Sequence, residues 1–284
     1  MFLDLHQMTV PQKQNWLQYA VAPRPIALAS TVNSLGQVNL SPFSFFNLFS
    51  SEPPVVIFSP SRRVRDNTTK HTLQNVEEIS QVVINICDFD IVQQVSLSSH
   101  DYASEVNEFE KAGFTMEKAS MVVPPMVKEA KIKLECEVLE IKALGKKGGA
   151  GNLVICEVLC MHVDDSILNA EGNMIDPQKI QHVARLGGDW YCWVDQQNLF
   201  KINKTPVQPG IGIDALPAYI RQNPSLSGND LGKLAAVSAI PAIDNNFSYN
   251  MIDESQLINH AKSLLEQQKV QEAWQVLLRS EINK

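Results

Sequence analysis

The first 75 residues concentrate hydroxyl, amide and basic side chains: Ser30, Thr31, Asn39, Ser41, Ser44, Ser59, Ser61, Arg62, Arg63, Arg65, Lys70 and Thr72. Arg62, Arg63, Arg65 and Lys70 fall within nine residues of a chain whose formal net charge is -7, directly after an expected strand end. A phosphate dianion is held by this mixture of guanidinium forks, ammonium and hydroxyl donors. The cluster suits a phosphorylated ligand, and a solvated basic loop answered by Asp66 accounts for the same residues. Just upstream, NLSPFSFFNLF sets aromatic surface beside small polar groups, as a flat heteroaromatic ring needs; a core strand explains its phenylalanines equally well.

Other chemistries lack their residues. No GxGxxG follows a strand, and the glycine cluster at 148–151 lacks the Lys and Ser or Thr of a phosphate-binding loop, which excludes the common nucleotide folds. HExxH and GxSxG are absent, and no histidine stands at a metal-ligand spacing from Cys or Asp, so neither a metal nor a hydrolase triad is expected. Cys87, Cys136, Cys156, Cys160 and Cys192 are odd in number and contain no CxxC, and so read as reduced thiols. Cys156 and Cys160 share a strand face, where a redox pair is conceivable, but small core residues are the favoured reading. The net negative charge disfavours nucleic acid and anionic lipid. No apolar run approaches the roughly 20 residues of a membrane span, and the start resembles no signal peptide, so the expected location is the cytoplasm.

The elements that must position these groups are mostly strands. Residues 24–86 read as IALASTV, a turn at NSLGQ, VNL, FSFFNLF, VVIF, a helix near 70–80, and VVINI. Residues 89–112 read as polar helical segments. KIKLECEVLEIK and NLVICEVLCMHVD alternate, with Ile132, Leu134, Cys136 and Val138 on one face, and form a hairpin with a flexible glycine tip at LGKKGGAG. Without strand-helix alternation, the expected class is mainly β with inserted helices, an antiparallel barrel. After Thr205 the chain turns Pro- and Gly-rich and then helical. Residues 1–205 are expected to form the barrel, and residues 206–284 an extension. Within the extension, Leu257, Ala261, Leu264 and Leu265, then Val270, Ala273, Trp274, Leu277 and Leu278, mark a helix pair broken at QQK, read as a helical lid or dimer prop.

Six segments resemble, in order and spacing, the flavin reductase-like FMN-binding split-barrel family over residues 19–195: RPIALAST, NLSPFSFFN, EPPVVIFS, KHTLQN, VVINI and ARLGGDWY. The resemblance implies a six-stranded antiparallel split β-barrel that forms a homodimer, with one FMN at each end of the subunit interface. Carried over by position, Ser30, Thr31, Asn39, Leu40, Ser41, Pro42, Phe43 and Ser44 would line the isoalloxazine and ribityl chain. Ser59, Arg62, Lys70 and Thr72 would hold the phosphate, and the resemblance assigns no such role to Arg63 and Arg65. His71 stands where the family usually has Asp, exchanging a fixed charge for a group titrating near pH 6.5 and implying pH-sensitive FMN affinity. Arg185 and Tyr191 either approach the flavin or a substrate, or are structural; His100 and His182 have no assigned role. PGIGIDALP and LSGNDLG resemble the tail of one bacterial branch of the family.

The implied activity is that of an FMN-dependent oxidoreductase taking hydride from NADH or NADPH and passing electrons to free flavin, oxygen or a partner oxygenase. The flavin ring carries the redox chemistry, so the absence of a triad is no objection. Two alternatives from other classes are an FMN-binding electron carrier without turnover, and a barrel kept as an interaction scaffold.

Overall fold

The computed structural model describes residues 1–202, 208–247 and 254–280. The chain divides into two compact units, Met1–Leu199 and Phe200–Lys284. The boundary expected after Thr205 falls outside the described residues.

The first unit opens with α1 (Val10–Ala20), where Pro11 sits in the first turn and the side-chain carbonyl of Gln12 accepts from the N–H and hydroxyl of Thr9. Then come β1 (Arg24–Pro25), β2 (Ala27–Val32), β3 (Val38–Phe43), β4 (Phe46–Ser51) and β5 (Pro54–Phe58). They are followed by α2 (His71–Glu78), β6 (Gln81–Ile86), α3 (Val92–Leu97), α4 (Glu108–Ala112), β7 (Met116–Glu117) and β8 (Met126–Val127). The long hairpin is β9 (Ile132–Ala143) and β10 (Asn152–Val163), and β11 (Val183–Arg185) and β12 (Tyr191–Trp193) complete the unit.

One antiparallel sheet has seven strands in the order β3-β2-β6-β9-β10-β5-β4, where the resemblance implied six. NLSPFSFFNLF breaks at Ser44 and Phe45 into β3 and β4, which lie at opposite ends of that order. Two register shifts in β9-β10 add the curvature that wraps such a sheet. The inner face buries Ala27, Ala29, Val56, Phe58, Ile84, Cys136 and Val154, and Leu73 and Val76 of α2 pack into the same cluster. Of the alternating residues expected on this face, Cys136 is in the cluster with Leu134 and Val138 packed against it, whereas Ile132 at the start of β9 packs with Ile167 and Ile180. A second core on the other face of β2 and β3 joins Leu28 and Leu40 to Val95, Phe109 and Phe114. The small sheet β1-β11-β12 is tied to α1 by Arg24, whose buried guanidinium donates to the carbonyls of Gln18, Val21 and Leu186.

The second unit contains α5 (Ala218–Arg221), α6 (Gly228–Ala235), α7 (Glu254–Glu266) and α8 (Val270–Ser280). The last two are the expected helix pair, broken at Gln267–Lys269. Its core joins Leu216, Ile220 and Leu234 to Leu257, Leu265, Trp274 and Leu277, with the Trp274 indole donating to the Leu234 carbonyl at 3.1 Å. α7 and α8 are thus half of one helical core. No helix among the described residues is long and apolar enough to cross a membrane.

Candidate functional site

The basic loop is built by the chain leaving β5. The Arg62 N–H donates to the Ala150 carbonyl at 2.8 Å, and the Gly149 N–H donates to the Arg62 carbonyl at 2.9 Å. The glycine tip of the β9-β10 hairpin, expected to be flexible, is therefore docked on this loop. Gly148 is required there, since a Cβ would lie 2.9 Å from the Arg63 carbonyl oxygen. Asn67 fixes the turn at φ 60° and accepts from Arg62 Nε at 2.8 Å.

That turn sends Arg63 inward, leaving its side chain 13% exposed. Arg63 donates to Asp101 at 3.0 Å and also to the Thr68 hydroxyl and the Thr69 carbonyl. Lys70 reaches the same carboxylate at 3.1 Å and Arg65 at 3.2 Å. Three cations thus converge on one anion. Hydrogen bonding from Arg63, then Lys70, pushes the Asp101 carboxyl down to about 2. Burial, then the Arg63 charge, lowers the neighbouring His71 below its ordinary value.

Two cavities meet at Arg63, Lys70 and Asp101. The larger, about 1100 Å³, has an apolar wall from Val10 and Leu17 of α1 and Val21 just beyond it, with Phe45 and Val64, and a rim that includes Lys13, Arg62 and Arg65. It is ample for a ligand of nucleotide size. The smaller is polar and is lined by Asn39, Ser41, His71, Thr72 and Glu108. Here Asn39 donates to buried Glu108 at 2.8 Å and accepts from the Thr72 hydroxyl at 2.6 Å. Glu108 also accepts from the Leu40 N–H at 3.0 Å, and burial raises its carboxyl. An apolar chamber joined to a cation cluster that already holds a carboxylate has the donor set for a planar ring carrying an anionic tail.

Of the residues expected at the site, the fold brings Asn39, Ser41, Lys70 and Thr72 together in the small cavity, and places Arg62 and Lys70 at the large one. Arg62 spends its Nε and one terminal nitrogen on Asn67, so Arg63 takes its place beside Lys70. Thr31 is buried and accepts from Asn75 of α2 at 3.1 Å, and Ser30 is buried with its hydroxyl unpartnered. Leu40 and Phe43 put their side chains into the two cores. Ser44 is half-buried at the β3-β4 turn, Pro42 is half-buried on β3 opposite Leu28, and Ser59 is buried and donates its N–H to the Phe45 carbonyl. Ser30, Thr31, Leu40, Pro42, Phe43, Ser44 and Ser59 line neither cavity. Arg185 stacks on Tyr191 with 5.1 Å to the ring centroid.

Asp101, Glu108 and the α1 wall escaped the sequence reading. For α1 the signal was present in Thr9, Pro11 and Gln12, a helix-start signature. Nothing local to Asp101 or Glu108 marks them, because their partners lie 31 to 69 residues away. Cys160, which pairs with Glu135 across the strands, and His162, two residues further along β10, are brought together with that carboxylate only by the fold.

An antiparallel split barrel whose cation cluster opens into an apolar chamber defines a class of small-ligand proteins. The chain belongs to the flavin reductase like domain family, whose pattern matches residues 19–177. An uncharacterized protein of Aquifex aeolicus is 37% identical over 171 residues, 60% of this chain and 84% of that one. The Pseudomonas fluorescens 2-nitrobenzoate 2-nitroreductase NbaA is similar in structure, with TM-score 0.65 and 26% identity over 75% of this chain and all of that one. Nitrilotriacetate monooxygenase component B from Bacillus cereus has TM-score 0.66 and 25% identity, over 71% of this chain and 98% of that one. The domain match ends before the second unit begins.

Proposed function

We propose that the first unit binds FMN and acts as a flavin reductase-type oxidoreductase with NADH or NADPH as electron donor. The observation that carries this reading is the convergence of Arg63, Lys70 and Arg65 on one anion beside the apolar chamber. Lys70 and Arg63 would take the phosphate in place of, or together with, Asp101, with the Ser41 and Thr72 hydroxyls alongside. Val64, Phe45 and the apolar side of α1 would shield the ring from water. Bound FMN supplies a ring that accepts hydride, so the chain itself has only to bind, orient and exclude solvent. A second copy of the chain is proposed to complete the chamber, supported by exposed Phe45, Leu48 and Phe49 at and beside β4.

The acceptor is proposed to be free flavin, oxygen or a partner oxygenase, the last in keeping with the name of one structural relative, and the name of another adds an aromatic nitro compound to the acceptors worth assaying. The test is an absorption titration of the protein reconstituted with FMN under nitrogen, adding NADH and then NADPH. Bleaching faster than that of free FMN is the expected result. Bound flavin that stays oxidised with both donors refutes reductase activity and leaves an electron carrier.

A further inference from the structure

On the sheet face opposite the barrel interior, β9 and β10 place Glu135 directly across from Cys160, with His162 two residues further along. The register shift between Val158 and Cys160 creates this alignment. Glu135 is fully buried, an unusual position for a carboxylate. Its oxygens accept from the N–H groups of Ser120 at 2.7 Å, Met121 at 2.6 Å and Val122 at 3.1 Å, and from His162 Nε2 at 2.6 Å. Cys160 Sγ lies 3.9 Å from the same His162 nitrogen. Among the described residues this is the group of three metal-ligating side-chain types whose donor atoms all fall within 4.8 Å of one another.

We infer that Glu135, Cys160 and His162 form a three-ligand site for a thiophilic divalent cation of the zinc class. Carboxylate, imidazole and thiolate are zinc donors with bonds of about 2.0 to 2.3 Å, which at tetrahedral angles set neighbouring donors roughly 3.3 to 3.6 Å apart. The Cys160 to His162 separation of 3.9 Å is close to that spacing. The His162 to Glu135 contact must open by under about 1 Å, and His162, with a side chain 34% exposed, has room to do so. The three backbone donors fix the carboxylate from behind, as outer hydrogen bonds orient metal ligands.

His162 borders a solvent-facing cavity of about 290 Å³, which leaves space for water as a fourth ligand. The ammonium groups on that side are already neutralised, Lys133 by Glu117 at 2.7 Å and Lys131 by Asp90 and Asp88. Binding forms a sulfur-metal bond and releases the Cys160 thiol proton to solvent. The ion would clamp the hairpin to the segment at 120–122. Cys160 is eight residues beyond Asn152 on β10, roughly 26 Å along an extended strand, so this site is separate from the chamber at the hairpin tip and does not depend on flavin binding.

The test is titration of chelator-treated, reduced full-length protein with Co²⁺, followed by Zn²⁺ displacement. One equivalent should bind with a thiolate-to-cobalt charge-transfer band and tetrahedral ligand-field intensity. Cys160→Ser should abolish that band, Cys192→Ser should keep it, and His162→Gln should weaken binding at least tenfold. Absence of the band in the parent chain, or its persistence in Cys160→Ser, overturns the assignment. His162→Gln decides the matter alone if the serine variant does not fold, and unchanged affinity there overturns it equally.

Discussion

Replacing Lys70 by Ala isolates the anion site better than any arginine change. Arg63 also binds Thr68 and Thr69, so its loss disturbs its own loop, and Arg65 is 68% exposed and paired with Asp66. Lys70 places its ammonium 3.1 Å from Asp101, while its backbone carbonyl, which truncation leaves intact, accepts from Leu73 and Gln74 at the start of α2. A charge-assisted hydrogen bond to phosphate contributes about 1.5 to 3 kcal/mol, and each 1.4 kcal/mol is about tenfold in affinity. The side chain is 29% exposed, so screening moves the expectation toward the lower end, about 10- to 100-fold weaker FMN binding with the smaller figure at higher salt. The assay is quenching of flavin fluorescence as the full chain is added, run in parallel with riboflavin, which lacks the phosphate. The variant should lose affinity for FMN and keep it for riboflavin. An unchanged FMN dissociation constant, or an equal loss for riboflavin, would remove Lys70 from phosphate binding.

Three further outcomes are expected. His71 is held below its ordinary pKa by burial and by Arg63, so it is neutral at pH 7 and gains a charge beside Lys70 only as pH falls through that depressed value. FMN affinity of the parent chain relative to His71→Gln should therefore rise with acidification from about pH 8 to about pH 5.5, the phosphate's own titration being common to both; parallel curves refute the idea. Glu108→Ala leaves the Leu40 N–H and the Asn39 amide without their acceptor, at about 1 to 3 kcal/mol for each, read as a lowered thermal midpoint of the first unit. A chain ending at Leu199 should bind FMN as the full chain does, whereas a cut at 253 removes α7 and α8 from the core they share with Ile220 and Leu234 and should expose apolar surface to a hydrophobic dye.

The strands and the final helix pair were legible because each carries its own periodicity. Alternation in β9 and β10 marks one face for the core, and the spacing of Leu257, Ala261 and Leu264 marks a helix stripe. Glu135 shows where that rule stops: alternation would turn a glutamate toward water, yet it is buried because three N–H groups from residues 120–122 meet it. The basic cluster was visible as composition, but composition could not say which guanidinium turns inward. The Asn67 turn commits Arg62 and leaves Arg63 for Asp101.

The mainly β class, the position of the basic cluster and the helical end of the chain could all be read from the order of residues, since they follow from local pattern and charge. The folded chain was needed to learn that Asp101 collects the cations, that α1 walls the chamber, that the glycine tip docks on the basic loop, and that Glu135, Cys160 and His162 meet. Each of these joins residues remote in sequence or aligned by a β-bulge. Such contacts depend on strand register and loop closure, which no local periodicity records.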